Sequence, residues 1–172
     1  MFEQRLKEGK LGESEIAEWL KKRGHHILPI YEIEKNQYAG PAVFSSKGES
    51  IIAPDMLIFG NGSVTWIEAK HKDAFSLHRK TNKMVTGIDL HHYEQYKKIQ
   101  QLVDWDVWIL FLHRGGQAKD SPVSNSGLYG GCLNYLAKNE NHRSDKWGKS
   151  GMVYWAENIL TKLSEYPLFD TV

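Results

Sequence analysis

Cysteine is nearly absent: Cys132 is the only one in 172 residues. An intrachain disulfide and a cysteine-built zinc cluster are therefore excluded. No apolar stretch approaches the roughly 18–20 residues that a membrane-spanning helix needs. The opening MFEQRLKEGK has no apolar centre of the kind a secretory signal carries. The expected setting is a reducing cytosol, in which Asn61-Gly62-Ser63 is a turn and not a glycosylation site. An excess of either charge is lacking too. Twenty-two Lys and Arg face 21 Asp and Glu, for a net +1, which excludes a uniformly basic coat for nucleic acid but leaves room for a local basic groove. No G-x-x-x-x-G-K-[ST] loop is present, so no nucleotide cofactor is expected. Ser124 and Ser126 lack a G-x-S-x-G context. The pairs His25-His26 and His91-His92 are adjacent, without the spacing or acidic neighbour of a zinc site. There is no internal repeat and no low-complexity tract.

What is present is 41% hydrophobic and 12% aromatic residues, enough to fold 1–172 as a single domain. Residues 10–24 read as a helix ended by Gly24, with Ile16, Ala17 and Leu20 on one face and Trp19 widening it. His26–Ile33 reads as a strand, and Asn36–Ser50 as loop or a short hairpin. Ile51–Phe59 and Val64–His71 read as strands. Between them Gly60-Asn61-Gly62-Ser63 is a reversal signal that pairs them antiparallel. Residues 72–88 read as basic and irregular. Asp89 is placed to cap a helix running to about Val103, with Tyr93, Tyr96, Ile99 and Leu102 facing inward. Asp106–His113 suits a buried central strand. Gly115–Gly127 reads as loop, 128–136 as strand or helix, 138–151 as loop, Met152–Trp155 as a strand and Ala156–Leu163 as a final helix. The order αβββαβ, then a strand and helix, defines an α/β fold with a mixed sheet.

The chemistry concentrates at Pro54-Asp55 and Glu68-Ala69-Lys70. Side chains alternate along a strand, so Glu68 and Lys70 project to one side. The hairpin turn returns the strand carrying Asp55 alongside them. Two carboxylates so close repel, and one takes a proton unless a cation intervenes. Oxygen ligands suit Mg²⁺, which accepts a phosphate oxygen and lowers the pKa of a bound water. Lys70 is then placed to orient or deprotonate that water, or to offset charge in the transition state. A bland reading competes, since E-x-K on a strand is also a common solvated ion pair. Its apolar alternates Ile67 and Ala69, and Pro-Asp at a neighbouring strand entrance, favour the site. Glu13 falls in line with Ile16, Ala17 and Leu20 at 100° per residue, which makes it a third acidic candidate, with Glu15 as the alternative. Lys72, His78, Arg79, Lys80 and Lys83 form the densest basic stretch and are candidate phosphate contacts.

These residues resemble the PD-(D/E)XK nuclease superfamily. The segment Gly12-Glu13 through Ala17, Trp19-Leu20, Gly24 and Ile27-Leu28 resembles the branch containing Holliday-junction resolvases and related small endonucleases. The resemblance implies a restriction-endonuclease-like core over about 10–113, with a C-terminal strand-and-helix extension over about 114–172. It implies metal ligation by Asp55, Glu68 and the Ala69 carbonyl, completion of the site by Glu13, and Lys70 as catalytic lysine. Some members carry a glutamine or aromatic residue on the helix after the lysine strand. His92, Tyr93, Gln95 and Tyr96 stand there with the choice open, and Gln95 is counted among the nucleic-acid contacts. The implied activity is Mg²⁺-dependent cleavage of DNA, with Mn²⁺ as substitute cation, a branched substrate and a homodimer. The alternatives are a restriction-like or repair nuclease, and a catalytically silent nucleic-acid-binding module.

Overall fold

The computed structural model describes residues 2–30, 41–44, 46, 48–148 and 150–168. Expectations for 31–40 lie outside the described residues. Helix α1 (Phe2–Lys22) starts well before residue 10 and stops ahead of Gly24, whose φ of 85° suits a residue without Cβ. Strand β1 (His26–Pro29) follows. The expected hairpin in the next polar stretch is present as β2 (Ala42–Phe44) and β3 (Ser50–Ile52). The single strand predicted over 51–59 is split. β4 (Met56–Gly60) begins only after Ala53-Pro54-Asp55, because Pro54 has no N–H to continue a ladder. Asn61 and Gly62 have φ of 51° and 75°, the paired positive values of a type I′ hairpin, and they lead into β5 (Ser63–Lys72).

The stretch 72–88 is not irregular. It forms β6 (Ser76–His78) and β7 (Lys83–Asp89), paired antiparallel. Val85, Thr86 and Ile88 suit a pleated surface, and the surrounding lysines hide that signal in the sequence. Helix α2 (Leu90–Val103) starts as predicted: the Asp89 carboxylate accepts the His91 N–H at 2.9 Å. Tyr93, Tyr96 and Ile99 are buried, but Leu102 is 54% exposed. It lies about 60° round the helix from Ile99, and Val103, about 40° round on the other side, packs on the core instead.

β8 (Asp106–His113) is the buried central strand. The loop after it carries the short β9 (Gly116–Gln117) and β10 (Val123–Ser124). The ambiguous 128–136 segment is both things in turn, β11 (Gly127–Cys132) and α3 (Leu133–Lys138). β12 (His142–Ser144) lies within the expected loop, and β13 (Met152–Ala156) matches the predicted strand. The predicted final helix is absent. A single 3₁₀ turn, Glu157–Ile159, leads into β14 (Thr161–Ser164), whose pairing with β11 overrides local helix preference.

Two sheets result. The main one has the order β1-β4-β5-β8-β11-β14, with β5 and β8 parallel and the other pairs antiparallel. The second has the order β12-β13-β7-β6. One face of the main sheet sets Ile67, Ala69, Leu110 and Leu112 against Ile16, Trp19 and Leu20 of α1. The opposite face sets Trp66, Val107, Ile109 and Phe111 against Tyr93, Tyr96 and Ile99 of α2 and against Val153 and Trp155 of β13. The fold is α/β, with a central mixed sheet flanked by helices. Its α1, β1, β4, β5, α2 and β8 follow the αβββαβ order expected, with β2–β3 and β6–β7 inserted. Among the described residues no helix is long and apolar enough to cross a membrane.

Candidate metal centre

The break at Pro54 leaves Asp55 at the mouth of β4. Met56 sits opposite Ile67, so Asp55 comes level with Glu68. Asp55 Oδ2 accepts the N–H of Ala69 at 2.8 Å. N–H and C=O of one strand residue leave along the same edge, so the Ala69 carbonyl opens toward Asp55 as well. Glu68 is only 1% exposed. Its Oε1 is ion-paired with the Lys70 ammonium, and the Asp55 carboxyl and the Tyr96 hydroxyl crowd the same group. A buried carboxylate left in that state is costly unless a further positive partner completes it.

The electrostatics report the same convergence. Burial, and then the Glu68 carboxylate, push Asp55 up to about 7. Burial opposes the charge on Lys70, but Glu68, Asp55 and Glu13 outweigh it and hold the ammonium above the ordinary lysine range. Glu13 is raised by burial and then by Asp55, with Lys70 acting in the other direction. Glu13 therefore joins the group. Glu15 lies about 200° away around α1 and cannot share that direction. Gly12 permits this placement: a Cβ on it would stand 2.7 Å from the Cβ of His71 on β5.

The four positions left open on α2 separate. Tyr93 donates its hydroxyl to Glu140 at 2.7 Å. Gln95 Oε1 accepts the Ile52 N–H at 3.3 Å, so this end of its amide holds β3. Tyr96 is raised by burial and then by the Glu68 and Asp55 carboxylates, which places its hydroxyl at the site. His92 is lowered by burial and then by Lys70, and it borders the same group. In the sequence Tyr96 was one inward-facing aromatic among several and one of four candidates for this position.

Among the described residues, no three His, Cys, Asp or Glu side chains gather closely enough to hold a metal by themselves. The donor set at Asp55, Glu68 and the Ala69 carbonyl, with Glu13 alongside, is all oxygen and incomplete. That chemistry fits Mg²⁺, which takes few protein ligands and retains water. Glu68, buried beside a second carboxylate with the Lys70 ammonium as its ion-pair partner, supports the fit.

The basic residues do not form one surface. Lys72 projects on the same side as Glu68 and Lys70, and burial followed by Lys70 brings it down to about 8. Arg79 lies 3.5 Å from Asp120, and Lys80 and Lys83 are exposed. His78 stacks on His142. These four belong to the β6–β7 turn, whereas the opposite end of β7, at Asp89, borders His92. Six strand residues separate those ends by about 20 Å.

Compared with solved structures, the chain aligns with Hjc, a Holliday junction resolvase from the archaeal hyperthermophile Archaeoglobus fulgidus. The identity is 10% and the TM-score 0.49, over 88% of this chain and 90% of that one. No family model matches the chain, and no curated protein matches it.

Proposed function

We propose that the chain is a Mg²⁺-dependent endonuclease that hydrolyses phosphodiester bonds in DNA, with a preference for branched substrates. The observation that carries this reading is the convergence of buried Glu68 with Asp55 and Lys70 at one end of β5. Asp55, Glu68, the Ala69 carbonyl and Glu13 would hold the ion. A bound Mg²⁺ would supply charge on a phosphate oxygen and a water of lowered pKa. Lys70, kept cationic by three carboxylates, orients that water and offsets charge as the phosphate becomes pentacovalent. Tyr96 sets its hydroxyl beside the Glu68 and Asp55 carboxylates. Lys72 extends positive charge from the site toward the neighbouring phosphate. Cutting both strands of a branched duplex calls for two copies of the chain, related by a two-fold axis.

The test is cleavage of linear, flapped and four-way DNA with Mg²⁺ and with EDTA. Branched DNA is expected to be cut only with the cation. Asp55→Asn and Lys70→Ala are each expected to lower the rate about 100- to 1000-fold. Full activity in both variants would remove the catalytic assignment. A sequence-specific ladder from linear DNA would favour a restriction-like enzyme, and tight binding with no cleavage a silent module.

A further inference from the structure

A second locus lies at the far end of β7, built from the β6–β7 turn and from the segment after α3. Lys83, Lys138, Asn139, Glu140 and Asn141 line a cleft of about 370 Å³ there, within the size range of small-ligand sites. Its one carboxylate is already committed. Glu140 accepts from Arg143 at 2.7 and 2.8 Å and from the Tyr93 hydroxyl at 2.7 Å. Among the described residues, Lys83 and Lys138 take part in no ion pair. The cleft therefore presents two uncompensated ammonium groups.

Asn141 joins this cleft to a column of rings. His78 stacks on His142 at 3.7 Å and 8°, and His142 on Tyr154 at 4.5 Å and 4°. Asn141 Oδ1 accepts from His142 Nδ1 at 2.8 Å and from the Thr81 hydroxyl at 3.3 Å. Thr81 Oγ1 lies 2.9 Å from His78 Nδ1. This chain of bonds fixes both imidazoles. All three rings are half-buried, so the column reaches the surface beside the lysines. Cationic side chains next to parallel rings are the combination that single-stranded nucleic acid uses, through phosphate and base face together. A paired base offers no free face.

We propose that this cleft binds one unpaired nucleotide, with its phosphate between Lys83 and Lys138 and its base on the outer face of His78, the open end of the column that His142 and Tyr154 support. The inference rests on the nucleic-acid reading above and deepens it. It assigns the unpaired part of a substrate to a place about 20 Å from the scissile bond, the length of β7.

The experiment is fluorescence anisotropy in EDTA, so that no strand is cut, with a short labelled single strand and a duplex of the same sequence. The combined Lys83→Ala and Lys138→Ala variant is expected to bind the single strand about tenfold more weakly. Its slope of log affinity against log salt should be shallower by about 0.7. His78→Ala is expected to lose about tenfold with the slope unchanged, and His78→Phe to restore binding by keeping a flat ring. A 2-aminopurine in the strand should be quenched by the wild type and by His78→Phe, and not by His78→Ala. Wild-type single-strand binding that survives in the lysine and His78→Ala variants overturns the cleft alone. Equal losses for duplex and single strand overturn its assignment to unpaired nucleotides. A wild-type chain that does not bind the single strand overturns this inference and leaves the endonuclease reading to the cleavage test on branched DNA.

Discussion

Asp55 and Glu68 are held together at one end of β5 although burial, and then their mutual repulsion, raise Asp55 to about 7. Such a pair weakens the fold that supports it, a common feature of sites arranged for a ligand. Asp55→Asn keeps an acceptor for the Ala69 N–H and removes the repulsion. Thermal unfolding without metal is expected to shift upward by about 2–4 °C for each kcal/mol relieved, while cleavage is lost. A lowered midpoint would show that the two carboxylates do not oppose one another. His113 presents the opposite case, an uncharged group in the core. It is fully buried, stacked on Phe75 at 3.7 Å with Tyr129 at its edge, and neither ring nitrogen has a hydrogen-bond partner. Burial, then Lys72 and His71, lower it to about 3, against about 6.5 in an unfolded chain. Between those values the unfolded chain carries a proton that the folded one refuses, so stability falls as pH falls through that window. Urea midpoints at pH 7.5 and 4.5 measure this. His113→Phe is expected to reduce the difference, and an unchanged difference would assign the acid sensitivity elsewhere.

Among the elements, α1 matters through one close approach. Gly12 lets the helix lie on β5 at His71 and so brings Glu13 to Asp55 and Lys70. Alanine would gain about 1 kcal/mol of helix propensity over glycine. It would also place a methyl 2.7 Å from the His71 Cβ, and overpacking typically costs about 1–3 kcal/mol. Gly12→Ala is therefore expected to destabilise in urea unfolding, and to lower cleavage through Glu13. In a His71→Gly background, which removes that Cβ, Gly12→Ala should cost less stability than in the wild type, and an equal cost would refute the contact. Elements with local signals were legible in the sequence. The β4–β5 turn rests on Asn61-Gly62, and α2 starts on Asp89. β7 and β14 were not legible, because their partners β13 and β11 are distant in sequence. Val85 faces Ala156 and Lys162 faces Tyr129, and no local window contains both halves of either pair.

At the scale of the molecule, residues beyond the resemblance are structural parts of both sheets. β11 covers the free edge of β8, β14 covers β11, and β13 pairs with β7. Leu128, Val153 and Trp155 from this part are fully buried. A chain ending after His113 would expose the edge of β8 and the apolar face under Trp155. It is expected to lose its cooperative unfolding transition and to bind a hydrophobic dye. A sharp transition in the shortened chain would show that the segment up to residue 113 folds alone. The linear order of residues determined the α/β class, the start of α2, the β4–β5 hairpin and the candidates for the site. All of these rest on near neighbours in the chain, alternation along a strand or periodicity along a helix. Tertiary structure alone decided between Glu13 and Glu15, singled out Tyr96 from the candidates on α2, and parted Lys72 from the rest of the basic stretch. Those outcomes depend on where separate elements pack, and packing is set by buried faces that meet across long distances in sequence.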